Sequence, residues 1–265
     1  MTAVETRIPV EGRASSSAEV LAVLHATADV IGATLRAADD WALAGTRPGQ
    51  YRSDLAADSA ALARLDEAGF GVLSEESGLR NEERAVVVVL DPLDGSTNAS
   101  HRLPWYATSL CAVDAEGPLA AVVVNLASGV RFEAVRGGGA RCDGRTLSPA
   151  STTRMADAMV AVSGLPPHHL GWRQFRCLGA AALDLCAVAA GVLDGFIDCS
   201  DDAHGVWDYL GALLVCREAG AWVADAFDRE LVVRDPQVRR TPVAGATPAL
   251  LDELLVARRS FGVVR

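Results

Sequence analysis

Residues 85–98 read Ala85-Val86-Val87-Val88-Val89-Leu90-Asp91-Pro92-Leu93-Asp94-Gly95-Ser96-Thr97-Asn98. An unbroken run of six apolar, mostly β-branched residues is how a strand reads when both of its faces are buried. Asp91-Pro92 stops the run, because proline brings no N–H to the sheet ladder, and Gly95 permits a tight turn. Asp91 and Asp94 therefore stand three residues apart at one sheet edge, placed to converge on a single point. From Gly95 to Asn98 the small hydroxyl and amide residues read as a helix start whose free N–H groups form a phosphate cradle. An ordinary Asp-Gly turn with a capping residue accounts for the same spacing equally well.

Working outward, Ser16 and Glu19 form a capping box that opens an amphipathic helix through Leu21, Leu24, Val30, Ile31 and Leu35. A loop over 42–51 holds Gly45, Pro48 and Gly49, and a second helix is expected from Asp54 to about Ala68. Phe70 to Leu73 is a short strand ending in the acidic Glu75 and Glu76. Past the central run, strands are expected between Tyr106 and Val135, with glycine turns at Gly137–Gly139 and Asp143-Gly144. Further strands are expected at Met159–Val162, Val192–Asp198, Trp222 and Leu231, with helices at Ala180–Ala190, Trp207–Ala219 and Pro248–Arg259. Helices on sheets throughout predict a layered mixed α and β fold.

The chain has 265 residues, half of them hydrophobic, enough for one large domain or two small ones. Its net charge of −10 argues against general binding to nucleic acid or to an anionic membrane. All 24 basic residues are arginine, which excludes Schiff-base lysine chemistry and a lysine-bearing P-loop. The six cysteines form no C-x-x-C pair, so neither a zinc site nor a disulfide framework is expected, and ordinary buried or half-buried thiols are. Residues 1–17 carry Glu5 and Glu11 and lack the apolar core of a signal peptide. No run of 18 apolar residues is evident, so the expectation is a soluble, cytoplasmic protein.

The remaining information lies in carboxylates at strand ends. Asp91, Asp94, Glu75 and Glu76 follow strands, Asp208 opens the helix at Trp207, and Asp58 lies in an early helix. Two carboxylates 4 Å apart repel by about 4 kcal/mol at an effective dielectric near 20. A gathering of them needs protons, arginines or a cation. Oxygen donors without histidine or cysteine point to a hard ion, Mg²⁺ first and Mn²⁺ or Ca²⁺ next.

The stretch Asp91–Asn98 resembles the D-P-[IL]-D-G-[ST]-x-N signature of the inositol monophosphatase family. Ser74-Glu75-Glu76-Ser77 is similar to its G-E-E-S block, and Trp207-Asp208 through Glu218-Ala219-Gly220 to its W-D…E-A-G-G block, in the family's order. The resemblance covers about residues 16–260. It implies an α/β/α/β/α sandwich whose site lies between two halves, residues 1–150 carrying most ligands and 151–265 completing the pocket. It also implies a phosphomonoesterase that uses two or three Mg²⁺ ions, acts on a small sugar or polyol phosphate and forms a homodimer. By the same resemblance Glu75, Asp91 and the carbonyl of Leu93 hold one ion, and Asp91, Asp94 and Asp208 another. Asp58 (with Asp54 the alternative) and Ser96 orient the attacking water, with Glu75 assisting. Gly95 and Ser96 bind phosphate, Asp198 meets substrate hydroxyls, and Gly179 and Ala181 line the pocket. Inositol monophosphate is the default substrate; fructose 1,6-bisphosphate, histidinol phosphate and 3′-phosphoadenosine 5′-phosphate are the alternatives, beside a silent sugar-phosphate-binding homologue. Two residues depart from the pattern: Ser96 where many members have Thr, and Ala221 where they have Gly.

Overall fold

The computed structural model describes residues 16–47 and 49–261; residues 1–15, expected to hold no leader, and Pro48 lie outside them. Ser16 caps helix α1 (Ser17–Arg36) through the expected reciprocal bonds with Glu19. Helix α2 (Arg52–Glu67) follows, then β1 (Gly71–Ser74), β2 (Gly78–Arg80) and β3 (Val87–Asp94). In β3 the alternation of side chains explains the unbroken apolar run. Val87 and Val89 enter one core while Val88 and Leu90 enter the other. The strand does not stop at Asp91-Pro92 as expected. It continues to Asp94, with its register against β4 (Ala107–Asp114) shifting between Asp91 and Asp94. A bulge is where a sheet tolerates a residue without an N–H.

After α3 (Ser96–Ser100), strands β4, β5 (Gly117–Asn125), β6 (Arg131–Val135), β7 (Gly139–Cys142) and β8 (Arg145–Thr146) meander antiparallel. They complete an eight-stranded sheet ordered β2-β1-β3-β4-β5-β6-β7-β8. A second sheet holds β9 (Met159–Ser163), β10 (Gln174–Arg176), β11 (Gly195–Asp198), β12 (Trp222–Asp225) and β13 (Pro242–Gly245), ordered β10-β9-β11-β13-β12. Between the sheets lie α4 (Ala181–Ala189) and α5 (Val206–Ala219), and α6 (Pro248–Arg259) covers the far side of the second sheet. Every residue of α4 is buried, as a helix between two sheets requires. The result is the five-layer α/β/α/β/α order.

By length and composition α1 is apolar enough to cross a membrane, with a mean hydropathy of 1.4. Here its stripe of Val20, Leu24, Ile31 and Leu35 instead packs with α2 and the first sheet. No strand forms at Leu231: that side chain is buried and Val232 and Val233 are half-buried, so their apolarity serves packing rather than pairing. The strand in this region is β13, four fully buried residues. Glu218 accepts N–H bonds from Gly137 and Gly139 at 2.9 Å each, tying the end of α5 to the glycine turn between β6 and β7. All six cysteines are unpaired, and Cys177, against expectation, is exposed, because it follows an edge strand.

Candidate metal centre

Three carboxylates distant in sequence meet at one end of the first sheet. Glu75 stands just past β1, Asp91 lies in the bulge of β3, and Asp208 occupies the first turn of α5. Each offers an oxygen within 4.8 Å of the other two. The local sequence aims each group. Asp91 Oδ1 accepts the Leu93 N–H at 2.9 Å, folding the bulge around its own carboxylate. Asp208 Oδ2 accepts the Gly205 N–H at 2.8 Å, so one oxygen caps α5 while the group faces the cluster. Asp94, at the end of β3, accepts the Ala182 N–H at 2.8 Å from the first turn of α4.

Electrostatics record the crowding. Burial first, then Asp208 and Glu76, push Glu75 up to about 8. Burial and Asp208 likewise push Asp94 up to about 8, against the pull of the Ala182 N–H. Asp91 is raised well above the carboxylate range by burial and by Glu75, Asp94 and Asp208. Asp208 is raised by burial, with His204 opposing. Oxygen donors this close, this buried and this reluctant to ionise together fit a hard divalent cation, whose charge removes the repulsion that otherwise holds protons on them.

Beside the cluster a cavity of about 330 Å³ is lined by Asp54, Glu75, Glu76, Leu93 and Ser96 together with Arg47, Gly49 and Gln50. Asp54 and Asp58 share a face of α2, one turn apart, but only Asp54 reaches this cavity. Asp54 Oδ2 accepts the Tyr51 N–H at 2.9 Å, while its Oδ1 is buried without a protein partner. Burial raises its pKa to about 6. Asp58 is buried and accepts a bond from Ser74 Oγ, whose oxygen in turn accepts the Glu76 N–H. Its place in the structure is therefore beneath the Glu75-Glu76 turn.

The turn after Asp94 is built for close approach. Gly95 has φ +82°, and a Cβ there would lie 3.1 Å from the Gly179 carbonyl and 3.2 Å from the Trp105 carbonyl. Asn98 Nδ2 donates to the carbonyls of Trp105 and Leu178 at 2.8 and 2.7 Å, binding the turn to the segment before α4. The Gly179 carbonyl and the Ala182 N–H are thus brought against the Asp94–Gly95 turn, while neither Gly179 nor Ala181 lines the cavity beside the cluster.

Asp198 departs from its expected role. It is fully buried, and its carboxylate is taken by His204 Nδ1 at 2.8 Å and by the Ser200 N–H at 2.9 Å. A carboxylate so engaged presents no oxygen to a substrate hydroxyl. Asp201 and Asp202 pair outward with Arg258 and Arg229. His204 is a feature the sequence reading left unassigned. Burial disfavours its charge, but Asp198, Asp208 and Asp94 outweigh that and raise it to about 9. Arg47 and Gln50 were also unassigned, because nothing local to a glycine-rich loop marks which side chain will fold over a distant cavity.

A family model described as the inositol monophosphatase family matches residues 52–262. An inositol-1-monophosphatase of Mesorhizobium japonicum is 36% identical over 201 residues, 67% of this chain and 73% of that protein. A fructose-1,6-bisphosphatase of Pyrococcus furiosus is 30% identical over 180 residues, 67% of this chain and 70% of its own length. Among solved structures, the extragenic suppressor protein suhB of Bartonella henselae superposes with a TM-score of 0.77 at 28% identity, covering 91% of this chain and 99% of that one.

Proposed function

We propose that this chain, which belongs to the inositol monophosphatase family, is a metal-dependent phosphomonoesterase of small sugar or polyol phosphates, with inositol monophosphate the default substrate. The observation that carries the reading is the convergence of Glu75, Asp91 and Asp208 within 4.8 Å beside an open cavity. Glu75, Asp91 and the Leu93 carbonyl would hold one ion, and Asp91, Asp94 and Asp208 a second. When bound, such ions supply Lewis-acid charge at the phosphoryl oxygens and lower the pKa of nearby water. The N–H groups of Gly95 and Ser96 receive the phosphate. Asp54, which lines the cavity and keeps one buried oxygen without a protein partner, accepts the proton of the attacking water, and the Ser96 hydroxyl orients that water. We place this role on Asp54 rather than on Asp58, whose carboxylate is committed to Ser74. Asp198 supports His204 instead of touching substrate.

The same family reading carries Mg²⁺ as the ion, a homodimer as the assembly and the cytoplasm as the compartment. It also carries the division into residues 1–150, with most ligands, and 151–265, with Asp208 and the α4 segment. The bisphosphatase relative makes a fructose 1,6-bisphosphate substrate the second reading. The test is phosphate release from inositol, fructose, histidinol and nucleotide phosphates, with Mg²⁺ and with EDTA. One ester hydrolysed in Mg²⁺ and spared in EDTA is expected, with activity lost in Asp94→Asn. Unchanged activity in Asp94→Asn refutes the metal site, and silence across the panel favours a binding protein without turnover.

A further inference from the structure

We infer that Arg47 is a further group that receives the phosphate of the substrate, beside the N–H groups of Gly95 and Ser96, and that Glu76 is its resting place between turnovers; the inference rests on the phosphatase reading above. Among the described residues Arg47 is the one cation lining the cavity. Its guanidinium donates to Glu76 Oε2 at 2.5 Å and to the Glu75 carbonyl at 3.1 Å. The two partners are held unequally. The Glu76 side chain is 4% exposed and the Arg47 side chain 46%, so the carboxylate is fixed in the wall while the guanidinium borders both solvent and cavity. Gln50 Nε2 donates to the same Glu76 carboxylate. When Arg47 leaves, Glu76 therefore keeps a donor and is not stranded as a buried, unpaired charge, the arrangement that makes breaking most buried ion pairs costly.

Charge balance gives the guanidinium its task. Glu75, Asp91, Asp94 and Asp208 together offset the charge of two divalent ions, and the chain as a whole carries −10. Among the described side chains lining the cavity, Arg47 is the one that brings positive charge toward a phosphate monoester arriving as a dianion. The planar fork of a guanidinium matches two phosphate oxygens at once, which suits a group that must catch phosphate and then release it. Arg47 thus acts on binding, while Asp54 handles the proton.

The probe is inorganic phosphate, titrated calorimetrically into the whole protein at saturating Mg²⁺, beside KM and kcat on the best ester of the panel. Arg47→Ala is expected to weaken phosphate binding about tenfold, the worth of one charge-assisted bond, and to raise KM more than it lowers kcat. Arg47→Lys is expected to recover part of the affinity, keeping charge but losing the fork. Because Arg47→Ala unbalances Glu76, the Arg47→Ala/Glu76→Gln double variant is measured too, with thermal melts to verify folding, and the same loss is expected in it. A double variant that binds phosphate as tightly as the unmodified protein overturns the role of Arg47 alone. An unmodified protein that hydrolyses no ester and binds no phosphate overturns the phosphatase reading and this inference together.

Discussion

Removing divalent metal should make the stability of this protein fall as pH rises, opposite to the usual behaviour of a paired carboxylate. Glu75 and Asp94 have pKa values of about 8 in the metal-free fold, against 4.5 and 3.8 as free carboxyls. Between those limits the folded state holds protons that the unfolded chain has released, so stability is fullest below about pH 4 and is lost as pH climbs through 8. Each such group contributes about 1.4 kcal/mol per pH unit where the difference is complete. Two of them give a slope of about 2.7 kcal/mol per unit as an upper bound, since they titrate as a coupled set. At roughly 2–4 °C per kcal/mol for a chain of this size, these two groups lower the melting temperature by up to about 5–10 °C between pH 6 and pH 7.

His204, raised to about 9, acts in the same direction: its stabilisation is complete below 6.5 and is lost as pH rises through 9. Asp114 and Asp225, both lowered, titrate below this window and cannot mask it. Saturating Mg²⁺ replaces the protons on the ion-holding carboxylates and should abolish their part of the slope, leaving the smaller one of His204, Asp54 and Asp184, whose carboxyls or ring hold no ion. The assay is thermal unfolding from pH 5 to 9 in EDTA and in millimolar Mg²⁺, the two curves separating as pH increases. Parallel curves, or a metal-free melting temperature that rises from pH 5 to 8, would refute the clustering of these carboxylates.

Asp54→Asn should cut turnover by at least about 100-fold, the order of a general base, while leaving the melting temperature at neutral pH unchanged or raised, since the charge removed is one that burial disfavours. Asp58→Asn should instead lower the melting temperature by weakening the buried bond with Ser74, a separation that paired kinetics and melts will show. Gly95→Ala places a side chain at φ +82° against the Gly179 and Trp105 carbonyls, costing roughly 1–2 kcal/mol in backbone strain and displacing the phosphate turn. Activity should fall much further than stability. Gly211→Ala gains up to about 1 kcal/mol of helix propensity, yet its Cβ would sit 2.7 Å from Ser109 Oγ and 3.3 Å from Val123. Overpacking of about 1–3 kcal/mol should prevail, lowering the melting temperature with the metal cluster intact.

Much of the fold was legible locally. The Ser16–Glu19 box, the β-branched run of β3, the glycine turns and the buried helix α4 each follow from a pattern within a dozen residues, because caps, turns and side-chain alternation are short-range effects. Where nearby signals were weak or misleading, the reading failed: Pro92 looked like a strand end because a bulge depends on the neighbouring strand, and the four residues of β13 are too few to show a period.

The site divides along the same line. The acidic blocks at Glu75, Asp91-Asp94 and Asp208, and the turn at Gly95, are determined by sequence, since strand ends and helix starts are where carboxylates and glycine are placed locally. Which of those carboxylates meet is a matter of tertiary structure. Sheet order brings β1 beside β3, and α5 packs against β3, so Asp208 arrives from more than a hundred residues away. The same packing turns Asp54 into the cavity and Asp58 under Ser74, seals Asp198 against His204, and folds Arg47 over Glu76. Those assignments hang on direction and burial, which a side chain acquires only when distant segments close around it.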